Sequence, residues 1–202
     1  MAGLDQDEAN PIGVGGRQLH EWIFATKSGR EMIGESGGSE GVDDSVFKES
    51  GEGAGATIMG RNMFGPVRGS WSDRDWRGWW GDEPPFHHPV FVLTHFDRPD
   101  LVLSDTTFHF VTDGVESVVS KAREAAEERE VHVGGGVFTL RAFLNAQLID
   151  ELRVSVVPIY LGSGERLFEV VGEWPDGYEV SDVVAGEGAT HYTLVRTSPT
   201  SS

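Results

Sequence analysis

Short apolar runs alternate with stretches of helical period through the middle of the chain, the pattern of an α/β sheet. Ala56-Thr57-Ile58-Met59 is apolar and ends in Gly60-Arg61-Asn62, which predicts a buried strand running into a helix start. Pro89 to Leu93 is a second run of strand length, closed by Thr94-His95 and the Arg98-Pro99 break. Thr106 to Val111 sets Phe108 and Phe110 on one face and stops at Asp113-Gly114. Val115, Val118, Val119, Ala122, Ala125 and Ala126 then recur at three and four, which predicts an amphipathic helix. Val131-His132-Val133 is a brief strand. Gly134-Gly135-Gly136 opens a second helix, whose Val137, Leu140, Phe143 and Leu144 share a face.

Strands follow without intervening helices at Leu152 to Tyr160, Tyr178 to Val184 and His191 to Val195. Together these elements predict a largely parallel sheet with an antiparallel C-terminal edge. Ahead of them, Asn10 to Gly16 reads as a loop and a short helix starts at Arg17, carrying Leu19, Trp22, Ile23 and Met32. Gly34 to Gly55 mixes glycine with acid and reads as a flexible surface segment, in which Val42, Val46 and Phe47 are spaced for one helical turn. Gly69 to Pro85 is a loop that holds Trp71, Trp76, Trp79 and Trp80. The length suits one domain over residues 1–197, with residues 198–202 as a frayed tail.

Charge narrows the partners. The chain has 33 acidic and 16 basic residues, a net charge of −17, and its arginines are scattered, so nucleic acid and anionic membranes are repelled. Its only lysines are Lys27, Lys48 and Lys121. Acid-rich, lysine-poor composition suits a protein kept soluble in concentrated salt, where screening removes self-repulsion. The absence of cysteine excludes disulfides, thiolate catalysis and cysteine-bound zinc. The first twenty residues carry Asp5, Asp7 and Glu8 without the apolar core of a signal peptide, so the expectation is a soluble cytoplasmic protein.

Two strand-to-helix junctions carry the candidate chemistry. At Gly134-Gly135-Gly136 a phosphate can approach the backbone at a helix start, or the glycines simply permit a tight turn. Gly60-Arg61-Asn62 repeats the arrangement with a guanidinium added, and Thr94-His95 ends the strand between them. In a parallel sheet these ends share one edge, where ligands bind. The tryptophan loop can stack on a planar heterocycle or serve as a loop cover. His87-His88 lacks a partner at metal-ligand spacing, so no metal is expected.

Taken in order, Ile58-Met59-Gly60-Arg61-Asn62-Met63-Phe64, Trp79-Trp80-Gly81-Asp82-Glu83-Pro84-Pro85, Phe91-Val92-Leu93-Thr94-His95, Val133-Gly134-Gly135-Gly136 and Pro158-Ile159-Tyr160-Leu161-Gly162-Ser163-Gly164 span nearly the whole chain. This ordered set resembles the dihydrofolate reductase-like proteins related to the C-terminal reductase domain of the bifunctional riboflavin-biosynthesis deaminase-reductase. The resemblance implies a three-layer α/β/α sandwich, NADPH as hydride donor, a small heterocyclic substrate and a homodimer. Carried over by position, it implies that Gly60, Arg61 and Asn62 meet the cofactor phosphates. Thr94 and His95 then meet its adenosine side, and Gly134, Gly135, Gly136 and Val137 its diphosphate. Trp79, Trp80, Leu161 and Gly162 are the candidate substrate contacts, and Arg61 and Arg98 the cations that offset the cofactor's charge.

Two departures bear on these expectations. Relatives start with a central strand and a Ser-Leu-Asp-Gly-like turn, whereas Met1-Ala2-Gly3-Leu4-Asp5 resembles the residues just after that turn, so the N-terminal strand is expected to be missing, through a late start in preference to a rearranged sheet. Val133 stands where the riboflavin reductases carry an acid. The implied reaction is hydride transfer to a C=N or C=O group, with a ribosylamino-uracil phosphate or a pterin among the candidate substrates. No proton donor is evident: Asp5, Asp7 and His20 lie near the resembling pocket segment but read as surface residues. Two other classes stay open: a non-catalytic dinucleotide-binding dimer, and a metal-dependent hydrolase using His87, His88 or His95.

Overall fold

The computed structural model describes residues 6–7, 9–66, 69–71, 73, 75–168 and 174–197, so the 198–202 tail and Asp5 lie outside the described residues. After a 3-10 turn at Gly16–His20 come α1 (Glu21–Ala25), α2 (Lys27–Met32) and α3 (Val42–Gly51). The sheet elements then begin: β1 (Ala54–Gly60), α4 (Arg61–Phe64), β2 (Val90–Leu93), β3 (Leu101–Leu103) and β4 (Thr106–Val111). They continue with α5 (Val115–Ala126), β5 (Glu130–Gly135), α6 (Val137–Asn145), β6 (Glu151–Val156), β7 (Tyr178–Ala185) and β8 (Thr190–Arg196).

Five strands form one sheet in the order β3-β4-β2-β1-β5, in which β1, β2, β4 and β5 are parallel and β3 runs antiparallel to β4. Its strands obey the period of two on both buried faces. Ala56, Ile58, Phe91 and Val111 point to α5 and α6, where they pack with Val118, Ala122, Phe143 and Leu144. Met59, Val90, Val92, Phe108 and Phe110 point the other way, onto Phe64 of α4 and the rings of Trp71, Trp76 and Trp80. Each large side chain removed from water here contributes about 2 kcal/mol. The aromatic loop is therefore part of the layer that seals the second face.

The antiparallel C-terminal strands form a sheet of their own, ordered β6-β8-β7, and Leu152, Leu194 and Tyr178 join the same core cluster as Val118, Ala122 and Phe143. Among the described residues β5 pairs only with β1 and β6 only with β8, and α6 carries the chain from one of these edges to the other. The strand that the resemblance implies has no counterpart between them among the described residues.

Three elements differ from expectation for physical reasons. The strand foreseen from Leu152 to Tyr160 stops at Val156, because Pro158 has no N–H to continue the ladder. The stretch read as a flexible surface segment holds a ten-residue helix, α3, rather than one turn. Its start is capped from afar: the Glu187 carboxylate accepts from the Val42 and Asp43 N–H groups at 3.2 and 3.1 Å, a contact that no local pattern displays. Strand β3, three residues long, is too short to leave a periodic signal.

Candidate active site

The parallel strands bring their C-terminal ends to one edge, and a cavity of about 800 Å³ opens there. Register puts the two glycine corners side by side, since Met59 of β1 pairs with Gly135 of β5. Gly60 is held against the first turn of α6: a Cβ built on it would lie 2.2 Å from Thr139 Oγ1. Gly135 has φ +112°, which disfavours any other residue, and the Gly135–Gly136 peptide is cis. A Cβ at Gly136 would meet nothing within 4 Å, so this corner faces open space. No side chain caps α6 at Gly136, leaving the first-turn N–H groups of a nine-residue helix to an external acceptor.

The cationic element is Arg61. Its guanidinium lies 3.5 Å from the Trp71 ring centroid, and Nε and Nη1 are buried with no hydrogen-bond partner among the described residues. Burial, and secondarily the nearby Arg98 cation, lower its pKa to about 10, so it stays charged at neutral pH. Arg98, the other expected cation, lies outside the cavity wall. It is buried, its guanidinium sits 4.9 Å from the Trp71 centroid and 5.1 Å from that of Phe110, and Nη2 donates to the Trp76 carbonyl. The aromatic layer thus holds Arg98 back from the cavity wall.

The opposite wall comes from the N-terminal segment. Gln6 Nε2 donates to the Pro11 and Asn62 carbonyls at 2.6 and 2.7 Å, tying the loop to α4. His20 ends the 3-10 turn and lines the cavity, in contrast to the surface position expected for it. Its Nδ1 lies 3.1 Å from the Gly16 carbonyl, and burial outweighs that hydrogen bond to lower the ring's pKa below its ordinary value. A histidine in a short aromatic helix gives no sequence signal of its destination, because the wall it completes is built from strands far along the chain.

Gly60, Arg61, Asn62, Thr94, His95, Gly134, Gly135, Gly136 and Val137 all line this cavity, as do Trp79 and Trp80. Thr94 is buried and uses its hydroxyl to cap its own turn, accepting from Phe96 N–H at 3.2 Å, while His95 is exposed. Leu161 and Gly162 are outside the lining; Leu161 faces Gly15, and the same segment contributes Glu165 and Leu167 instead. Asp7 is exposed and held by Asn10. His87 and His88 lie at the far end of the sheet, on Asp105 and Thr57 respectively. The described residues contain no group of three or more His, Asp or Glu that could hold a metal. Nor do they contain a helix long and apolar enough to cross a membrane.

A mostly parallel sheet with a glycine-cornered cleft at its strand ends defines a dihydrofolate reductase-like α/β protein. Two solved structures share that fold. One is a protein of Shewanella sp. PV-4 provisionally assigned to riboflavin biosynthesis, 24% identical, with 98% of this chain and 96% of that chain covered and a TM-score of 0.58. The other is the dihydrofolate reductase of Enterococcus faecalis complexed with NADP(H) and RAB-propyl, 20% identical, with 77% and 82% covered and a TM-score of 0.50. No curated protein matches the sequence. The RibD C-terminal domain family matches residues 23–174, and the chain belongs to that family.

Proposed function

We propose that this protein is an NADPH-dependent reductase of riboflavin biosynthesis, acting on a C=N or C=O group of a small heterocycle of the ribosylamino-uracil phosphate or pterin type. The observation that carries the reading is the adjacency of two glycine-bearing strand-to-helix corners at one sheet edge, with a cation beside them whose buried nitrogens lack partners among the described residues. Family membership supports the reductase class, and the Enterococcus relative is itself described with NADP(H).

The residues fit such a cofactor. Gly136 and the uncapped first turn of α6 offer backbone donors to a diphosphate, and Gly60 allows α6 to approach without a side chain between. Arg61 offers a charge-assisted partner for a further phosphate, which a chain of net charge −17 needs locally. When bound, the reduced nicotinamide supplies a hydride. The chain's part is to hold donor and acceptor together and to exclude water, with Trp79 and Trp80 as apolar walls.

Titration of NADPH and NADH against the wild type and Arg61→Ala tests the reading. The substitution is expected to cost more than ~1.5 kcal/mol for NADPH and little for NADH. Loss of 340 nm absorbance with a panel of dihydropterins and aminopyrimidines then identifies the acceptor class. A wild type that binds neither nicotinamide nucleotide refutes the proposal.

A further inference from the structure

We infer that His20 selects the substrate, its Nε2 accepting a hydrogen bond from an N–H group of the bound heterocycle. This rests on the reductase reading and narrows its substrate class to heterocycles that present a lactam or amidine N–H to the N-terminal wall of the cavity.

The hydrogen bond already made fixes the tautomer. A carbonyl oxygen only accepts, so the Gly16 carbonyl at 3.1 Å places the hydrogen on Nδ1. In the neutral ring Nε2 is then a bare lone pair, and it has no hydrogen-bond partner among the described residues. Backbone hydrogen bonds order the turn: Gly13 N–H donates to the Asn10 carbonyl at 2.9 Å and Gly16 N–H to the Gly13 carbonyl at 3.0 Å, and Gly16 is buried. His20 is therefore presented by backbone rather than by a free loop.

Three other polar side chains of the lining, those of Gln6, Thr94 and Thr112, are already engaged. Gln6 donates to two carbonyls, the Thr94 hydroxyl accepts from Phe96 N–H, and the Thr112 hydroxyl donates to Asp113. A heterocycle with N–H donors must find acceptors or lose the hydrogen bonds it had in water. His20 Nε2 is a fixed acceptor available for that purpose.

Ionisation makes the selection pH-dependent. The charged or titratable groups that share the lining are Arg61 from α4, His95 after β2 and Glu165, with Arg17 on the turn of His20 itself and Glu21 next to it at the start of α1. Burial keeps the ring neutral near pH 7. On protonation Nε2 becomes a donor, and the N–H of the ligand then meets another N–H.

Calorimetric titration of the NADPH-saturated protein with 5,6-diaminouracil, pterin and the 3-methyl derivative of each tests this. At pH 8 the wild type is expected to prefer each N–H compound over its methylated form by at least about tenfold. His20→Leu removes the preference while NADPH affinity stays unchanged, and His20→Gln, whose Oε1 still accepts, keeps it. As pH falls through the lowered pKa of the ring the wild type loses the preference and His20→Gln does not. A preference that survives His20→Leu, or a wild type that binds NADPH but none of the four probes, overturns this inference and leaves the cofactor reading standing. Failure to bind NADPH overturns the reductase reading and the inference with it.

Discussion

Asp43 and His191, 148 residues apart in the chain, meet in the interior with Oδ1 2.8 Å from Nε2. The second carboxylate oxygen accepts from Gly188 N–H at 2.7 Å, so both are in use and Nε2 bears the ring hydrogen. Nδ1 is thereby free to accept from the Ser155 hydroxyl at 2.9 Å. Trp22 covers the imidazole edge-on at 5.0 Å. This chain of hydrogen bonds fastens the N-terminal helices to the β7-β8 hairpin and to β6.

Truncating its centre is therefore costly. Asp43→Ala leaves the buried His191 donor and the half-buried Gly188 N–H unpaired, with an expected loss of about 3 kcal/mol in urea unfolding. Ser155→Ala removes only a terminal hydroxyl and is expected to lose about 1 kcal/mol. Equal effects from the two would show that the carboxylate is not the hub.

The contact of Gly60 with Thr139 predicts a coupled pair. Gly60→Ala drives a methyl into Thr139 Oγ1, displaces the start of α6 and is expected to weaken nucleotide binding by about tenfold. Adding Thr139→Ala removes the oxygen that is struck and restores most of the affinity. A double-mutant cycle on NADPH binding measures the coupling, and additive losses would refute the contact.

Acid should destabilise the fold through His88. Burial, then the neighbouring His132, Arg129 and His87, lowers its pKa below the ordinary value. A base with a depressed folded pKa contributes stability above its unfolded pKa of about 6.5, and that contribution is lost as pH falls through the folded value. The thermal midpoint is expected to drop below about pH 6.5, and less steeply in His88→Gln, for which calorimetry across pH 5 to 8 is the check.

Salt should act in the opposite sense. A net charge of −17 repels itself at low ionic strength, while exposed pairs such as Arg77–Asp82 at 3.0 Å add little. Molar KCl is expected to raise the melting temperature relative to dilute buffer. Equal or greater stability in dilute buffer would reject salt adaptation.

Local pattern reached far into this molecule. The strands at Ala56, Pro89, Thr106 and Val131 were legible as short apolar or alternating runs closed by turn residues, and the helices at Val115 and Val137 by a period of three to four that follows from backbone geometry alone. The glycine corners were legible because strand-to-helix junctions of a parallel sheet share one edge. Helix α3 was not, since its cap and its buried aspartate find partners on a hairpin near the other end of the chain.

By itself the amino-acid order determined the alternating elements, the acidic surface and the family motifs, all properties of neighbours in sequence. Only the tertiary structure decided that His20 faces the cavity, that Arg98 lies behind the aromatic layer and that Leu161 packs away from the site. Those outcomes depend on which distant surfaces meet, and a side chain carries no local record of the partner that long-range packing will bring to it.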